Sequence, residues 1–388
     1  MSKDTSAASK SSPKKKPISR RALVTGGALG AATLAAGCDC ADKCGVVAGP
    51  AVIRQRRELK MVTTWPKNFP GLGDAAEATA RNITAMSDGA LSVTVFAANE
   101  LVGAFDAFDA VSGGAADLYH GAEYYWVGKS KAYPFFTSVP FGMTAQEIMG
   151  WCLFGGGQEL WDELAAKFNI KPFMAGNTGH QMGGWFKKEI NTLEDLRGLK
   201  IRMPGLGGEV MRRLGAAAVA LPGGEIYQAL QSGAIDATEW VGPWNDLAFG
   251  FYQEADYYYW PGFHEPGAQL AVGVNLDLWG ELSASERAIV RAACHTANND
   301  SIAKFQHFNG SALKTLVEER DVKLRRMPQE IIDALAEASL EVYQEIALED
   351  DISARVYRSF SESLAQSMQW SEISDEAYFA ARRSAFAL

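Results

Sequence analysis

Leu59-Lys-Met-Val-Thr-Thr-Trp65-Pro66, a helical stretch over residues 73–87, and Leu91-Ser-Val-Thr-Val-Phe96 read together as β-α-β. The first run alternates as a half-buried strand does and stops at Pro66, which has no N–H to give a ladder. The middle stretch keeps apolar residues at helical spacing, and the third run alternates again. Outward from this opening the pattern continues, with a short helix over 107–113, a short strand over 116–120, and a helical region over 145–168 interrupted near Gly155-Gly-Gly157. Residues 170–175 and 199–203 are strand-like, while 208–214 and 225–232 carry apolar residues at i and i+4 as helices do. Strands alternating with helices predict an α/β protein on mostly parallel sheets. Long helices follow over 284–316 and 328–368, suited either to bracing two lobes or to dimerisation.

A chain of 388 residues has room for two domains, and 47% apolar with 21% charged residues excludes a disordered or fibrous protein. The first fifty residues differ from the rest. Lys14-Lys-Lys16 and Ser19-Arg-Arg21 precede an uncharged, Ala/Gly-rich run over 22–37, too short and too rich in glycine to span a membrane. That is the pattern of an export signal, and the paired arginines resemble the twin-arginine type. The run ends Leu34-Ala-Ala-Gly-Cys38, which resembles a lipoprotein cleavage box in which Cys38 becomes a lipid-bearing N-terminus. Residues 38–57 show no sustained period and read as a tether. Cys38, Cys40 and Cys44 lie close together but offer no Cys-x-x-Cys pair for a metal, and Cys152 and Cys294 read as small core residues. Seven of the 37 basic and one of the 46 acidic residues fall in 1–37, leaving 30 against 45, a net of −15. So acidic a body is a poor nucleic-acid binder.

Chemistry concentrates in three segments: Asn177-Thr-Gly-His-Gln181-Met-Gly-Gly-Trp-Phe186, Leu199-Lys-Ile-Arg202-Met-Pro204, and Ile235-Asp-Ala-Thr-Glu239-Trp240-Val-Gly-Pro243. They offer an amide, an arginine and an acid beside an indole, with no nucleophile and base, so they point to holding a small anion. Arg202 follows a strand and so stands where open α/β sheets bind ligands, and its planar fork suits a carboxylate. On position alone it reads more readily as one half of a surface salt bridge with Glu194 or Asp195. Glu239 also stands at a strand end, and a buried carboxylate there needs a partner, usually a cation. Glu265 closes the aromatic run Tyr257-Tyr-Tyr-Trp-Pro-Gly-Phe-His-Glu265, which otherwise reads as core, as do Tyr124, Tyr125 and Trp126. The five histidines lack the i, i+4 metal pattern and read as structural, with His180 singled out for its place beside Gln181. The pairs Gly207-Gly208 and Gly223-Gly224 precede helices but lack the Lys-Ser/Thr of a phosphate loop.

From about Leu59 onward the chain resembles the extracytoplasmic solute-binding subunits of TRAP transporters, the DctP family, and within it the 2-oxo acid branch. The residues that carry the resemblance are Gly176-Asn-Thr-Gly179, Gln181-Met-Gly-Gly-Trp-Phe186, Glu189-Ile-Asn-Thr192, Leu199-Lys-Ile-Arg202, Gly223-Gly-Glu-Ile-Tyr227, Ile235 to Pro243, and Tyr257-Tyr-Tyr259. The resemblance implies a two-lobed periplasmic-binding-protein fold with a ligand cleft between lobes and long C-terminal helices. It makes Arg202 the arginine for the substrate carboxylate, and Gln181, Glu239, the Trp240 carbonyl and Glu265 the ligands of a cation, sodium first and calcium as the alternative. Charge counting agrees: one Arg, two Glu and a ligand carboxylate leave an excess of negative charge that a closed cleft tolerates only with a cation or protons. Oxygen ligands suit a hard cation. One departure stands out, Glu123 where the resemblance leads to glycine, which makes pocket size a question.

The expected protein is therefore exported, held to the membrane by lipid at Cys38, and periplasmic. Residues 58–178 with 266–312 form the first lobe, and 179–265 with 313–388, including the C-terminal helices, the second. It captures a small 2-oxo or 2-hydroxy monocarboxylate between Arg202, Gln181, Trp240, Tyr125 and Trp65, delivers it to a membrane permease, and is open to forming a homodimer. The rival reading is a periplasmic enzyme using Glu239 and Glu265 as an acid pair; a third is a purely structural surface lipoprotein.

Overall fold

In the computed structural model residues 56–386 are described. The export signal, Cys38 and all but the last two residues of the expected tether lie outside them. The predicted β-α-β opening forms: strand β1 (Arg57–Thr63), the helix Leu72–Met86, and strand β2 (Leu91–Phe96), parallel to β1 from Arg57 opposite Leu91 to Val62 opposite Phe96. The helix buries Ala75, Ala76, Ala78 and Ala80 with Ile83, small side chains that let it lie close on the sheet. Strands β3 (Leu118–Gly121) and β4 (Ile170–Asn177) follow.

The chain then crosses to a second sheet with β5 (Gly184–Phe186), β6 (Lys200–Arg202), β7 (Ala217–Val219), β8 (Ala237–Thr238) and β9 (Tyr257–Trp260), returns for β10 (Gln269–Asn275), and crosses again for β11 (Lys323–Arg326). The sheet orders are β2-β1-β3-β10-β4 and β11-β9-β5-β8-β6-β7. Each holds one antiparallel strand, β10 in the first and β5 in the second. Both are the strands that enter directly from the other sheet. A short crossover leaves one sheet at the carboxyl end of a strand and enters the next from the same cleft, so the arriving strand runs away from the cleft while β-α-β strands run toward it. The expectation of mostly parallel sheets holds, although β5, β7, β9, β10 and β11 were not read from the sequence.

The helix Ala284–Glu319 starts at a capping box, Ser283 with Glu286, and passes β4, the helix Leu72–Met86, and the helix Pro243–Phe249 that follows β8. Ser301 on this long helix donates to the Asn177 carbonyl (2.9 Å) and accepts from the Asn177 N–H (3.2 Å), stitching it to the first crossover. It braces both lobes. The predicted 328–368 stretch is two helices, Gln329–Ala347 and Asp351–Ser371, because the Asp350 side chain accepts from the Ser353 N–H (2.8 Å) and starts a new helix. The first of the two lies on the second lobe, with Arg213 paired to Glu341 and Glu345. The other, expected with the second lobe, returns to the first. There Arg355 pairs with Glu163, Trp151 Nε1 donates to Ser359 (3.0 Å), and Phe360 stands edge-on to Trp151. The face it covers is already dense: Phe136 stacks between Trp151 and Trp161 with 5.3 Å between ring centres on both sides. Cys152 and Cys294 are buried and free, as expected of core residues. Among the described residues no helix is long and apolar enough to cross a membrane.

Candidate functional site

Because β1, β3, β4, β6, β8 and β9 all run toward the cleft, each delivers one candidate residue there: Trp65, Tyr125, Gln181, Arg202, Glu239 and Glu265 in turn. Carboxyl ends of parallel strands are where α/β sheets collect ligand groups, since the backbone turns away and leaves side chains facing the gap.

Arg202, the last residue of β6, is 1% exposed. Its Nε donates to the Leu221 carbonyl (3.1 Å), and its Nη1 donates to the Glu239 carbonyl (3.1 Å) and pairs with the Glu239 carboxylate. Its Nη2 is buried with no partner. The guanidinium lies 5.2 Å from the Trp240 ring centre, a cation–π contact. Burial opposes its charge, but Glu239 above all raises the pKa above the usual value. The alternative of a surface bridge is corrected: Glu194 pairs with Arg197, and Asp195 accepts from the Asn191 and Thr192 N–H groups.

The second oxygen of Glu239 lies 3.2 Å from His264 Nε2, and Glu265 follows in sequence. Gln181 Nε2 donates to Glu265 (2.8 Å) and to Thr178 (3.0 Å), leaving Gln181 Oε1 buried without a partner. The two crossovers that carry Gln181 and Glu265 are laced together by Gln181 N–H to the Glu265 carbonyl (3.3 Å), Gly262 N–H to the Gln181 carbonyl (3.1 Å) and Gly183 N–H to the Tyr259 carbonyl (2.7 Å). Only glycine fits at 262, since a Cβ there would stand 2.5 Å from the Gln181 carbonyl oxygen. Burial first, and then the neighbouring Glu239 charge, push the Glu265 carboxyl well above the usual carboxylate range. Asp246 anchors the turn after β8, accepting from Tyr258 Oη (2.7 Å), Trp185 Nε1 (2.9 Å) and the Val241 N–H (3.2 Å).

Aromatic rings close the cleft. Trp65 meets Trp240 edge-on at 6.4 Å and Tyr125 at 6.2 Å, and Tyr124 stands at 4.8 Å from Tyr125. Trp65 Nε1 donates to His120 Nδ1 (2.8 Å), and burial lowers the His120 pKa to about 4, so the imidazole is neutral and accepts. Burial pushes the Tyr125 hydroxyl up to about 12. Trp65, Tyr124, Tyr125, Thr178, Gln181 and Trp240 line a narrow cavity.

Three sequence expectations change. His180 is exposed, and the histidine at the site is His264, whose Nδ1 is buried without a partner; adjacency to Glu265 was the only signal for it. Tyr124 and Thr178 join the cleft, which the sequence left as core or loop. Glu123 does not shrink the pocket: it is fully buried and bonded to Tyr119 (2.6 Å) on the side away from the cleft.

A two-lobed α/β protein with a small, charged, aromatic-walled cleft between its sheets is the architecture of a solute receptor. Residues 61–350 match the family model of DctP, "Bacterial extracellular solute-binding protein, family 7", and the chain belongs to that family. It is 41% identical over 362 residues to the monocarboxylate 2-oxoacid-binding periplasmic protein of Nostoc sp., covering 93% of this chain and 98% of the relative. Among solved structures, the fold matches a TRAP periplasmic solute binding protein of Pseudoalteromonas atlantica with bound sodium and pyruvate at TM-score 0.82 and 42% identity, covering 84% of this chain and 99% of that one. One from Colwellia psychrerythraea with bound calcium and pyruvate matches at TM-score 0.82 and 40% identity, covering 84% of this chain and 100% of that one. The family and fold expected from the sequence motifs are met. The chain is a solute-binding protein of the TRAP class, and the enzyme reading of Glu239 and Glu265 is set aside.

Proposed function

We propose that this chain captures a small 2-oxo or 2-hydroxy monocarboxylate, pyruvate being the probe of choice, together with a cation, and delivers both to the membrane permease of a TRAP transporter. The observation that carries this reading is a buried donor and a buried acceptor left over in one cleft, Arg202 Nη2 and Gln181 Oε1. An unpaired buried polar group costs about 1–3 kcal/mol, so both call for a partner that is not protein. In this reading Arg202 fixes the carboxylate while Gln181, Glu239, the Trp240 carbonyl and Glu265 hold the cation. Trp65, Tyr125 and Trp240 wall the ligand, and the narrow space between their rings favours a short chain.

The residues suit a hard cation: two buried carboxylates face one arginine, and the remaining donors are neutral oxygens. A cation there would supply positive charge that lets Glu239, Glu265 and a ligand carboxylate share a dry space. Sodium and calcium in the two similar pyruvate-bound structures support either ion. Calorimetric titration of pyruvate into metal-free protein, with and without sodium or calcium, tests the reading. Binding is expected only with a cation, and equal affinity in its absence refutes the cation half. Absence of binding for every C2 to C6 oxo and hydroxy acid refutes the ligand half.

The family is extracellular; cleavage of an export signal and lipid attachment at Cys38 rest on the sequence of residues 14–38, and the mass of the mature N-terminal peptide tests them. A homodimer through the last helices is supported by exposed Trp370, Ile373, Tyr378 and Phe379, and sedimentation equilibrium tests it.

A further inference from the structure

Glu123 is buried and takes no part in holding ligand or cation, yet it stands directly behind residues that line the cleft. Strand β3 ends at Gly121, and Glu123–Trp126 form a single 3-10 turn whose side chains leave on opposite sides. Tyr124 and Tyr125 face the cleft. Tyr124 lies against the second lobe, so close that a Cβ on Gly205 would stand 3.2 Å from it, and Tyr125 packs on Trp65. Glu123 and Trp126 point the other way, into the core of the first lobe. The turn thus has one anchored face and one working face, and the contact between the lobes runs through the working one.

The anchor is chemically unusual. Glu123 Oε1 accepts from Tyr119 Oη on β3 (2.6 Å), while Glu123 Oε2, Trp126 Nε1, Tyr133 Oη and Trp161 Nε1 are all buried without partners. The titratable groups that face it are Tyr119 from β3 and Tyr133 from the turn Tyr133–Phe136; Trp161 from the helix Gly157–Ala166 supplies a further N–H. Among the described residues no cation is placed against it, so its charged form has no counter-ion. Burial accordingly raises its pKa to about 8, and both tyrosines are pushed upward as well and remain neutral. A neutral carboxylic acid can donate to one neighbour and accept from another; an ionised one accepts only, and draws water toward itself.

We propose that Glu123 is a positioning residue for the Tyr124–Tyr125 wall, holding it in the closed cleft as a neutral acid and loosening it when ionised. Ligand retention then weakens in alkaline surroundings, because ionisation behind the turn undermines the Tyr124 contact with the second lobe. The inference rests on the proposed ligand cleft. Two readouts separate its failure from the failure of that reading.

The first is pyruvate affinity by calorimetry in saturating sodium from pH 6.5 to 9.5, for wild type and Glu123→Gln, which is isosteric and always neutral. The wild-type affinity should fall about tenfold relative to the variant across that range, the two coinciding at pH 6.5. The second is near-ultraviolet circular dichroism without ligand over the same range, reporting the Tyr124, Tyr125 and Trp126 environment. The wild-type signal should show a change through about pH 8 that the Glu123→Gln signal lacks. Glu123→Ala, lacking the anchor at every pH, should show the altered dichroism already at pH 6.5. Coincident wild-type and Glu123→Gln dichroism overturns the proposal whatever the ligand is. A difference in dichroism with no pyruvate binding supports Glu123 as the anchor and instead overturns the ligand assignment.

Discussion

Replacing Arg202 by alanine tests the centre of the cleft, and its expected cost follows from the contacts. The side chain is 1% exposed and its charge is matched by Glu239, which is 0% exposed. Removing the guanidinium leaves the Glu239 carboxylate buried beside Glu265 with only His264 as a neighbouring donor. Breaking a buried pair this way costs about 3–5 kcal/mol. Ligand-free Arg202→Ala should therefore lose about that much in urea unfolding, and its affinity for pyruvate should fall by a further ~2–5 kcal/mol, a factor of roughly 30 to several thousand. The double variant Arg202→Met, Glu239→Gln separates the two effects. It strands no charge, so stability should recover, but it has no fork for a carboxylate, so affinity should not. The reasoning is refuted by an Arg202→Ala protein that unfolds within about 1 kcal/mol of wild type, or by one that titrates pyruvate with wild-type affinity.

Glu265→Gln keeps an acceptor for Gln181 but removes one negative charge, so pyruvate affinity should drop at least about tenfold and lose its dependence on sodium, checked by titration at several sodium concentrations. Gly223→Ala should cost about 1–3 kcal/mol and displace Trp240, since a Cβ there would stand 2.4 Å from that ring; urea unfolding and tryptophan fluorescence read both. Acid should weaken the first lobe through His120. Its folded pKa, about 4, lies below the ordinary 6.5, so its contribution is present above pH 6.5 and is lost as pH falls through 4, up to about 3 kcal/mol. Calorimetric melts from pH 7 to 4 should show this loss in wild type and a smaller one in His120→Gln.

Much of this architecture is written locally. The 59–96 unit, Arg202 and Glu239 at strand ends, and the existence of the long C-terminal helices are set by alternation, helical spacing and the position of a polar residue after an apolar run, whereas the bracing role of the helix Ala284–Glu319 was decided only by its packing. Family motifs named Gln181 and Glu265 as partners. Local pattern missed the strands of three to seven residues that complete the sheets, because a three-residue strand such as Gly184–Phe186 is held by its neighbours and not by its own propensity. It also misjudged the histidines: His180 stands next to Gln181 in sequence, but the backbone turns it to solvent, while His264 meets Glu239 across 25 residues.

By itself, then, the amino-acid sequence determined the class of fold, the kinds of groups available, and the strand ends that carry them. Tertiary structure decided which groups meet. Gln181 reaches Glu265 across 84 residues because two crossovers run side by side, and Arg202 reaches Glu239 across 37 because β6 and β8 are adjacent. It decided as well that Glu123 faces the core and Tyr124 the cleft. Neighbours in sequence on a 3-10 turn point in different directions, and only packing against Tyr119 on one side and Gly205 on the other selects which side chain does which. Short-range pattern records what a residue is; burial and pairing over long range determine what it faces, and the chemistry of the cleft depends on the second.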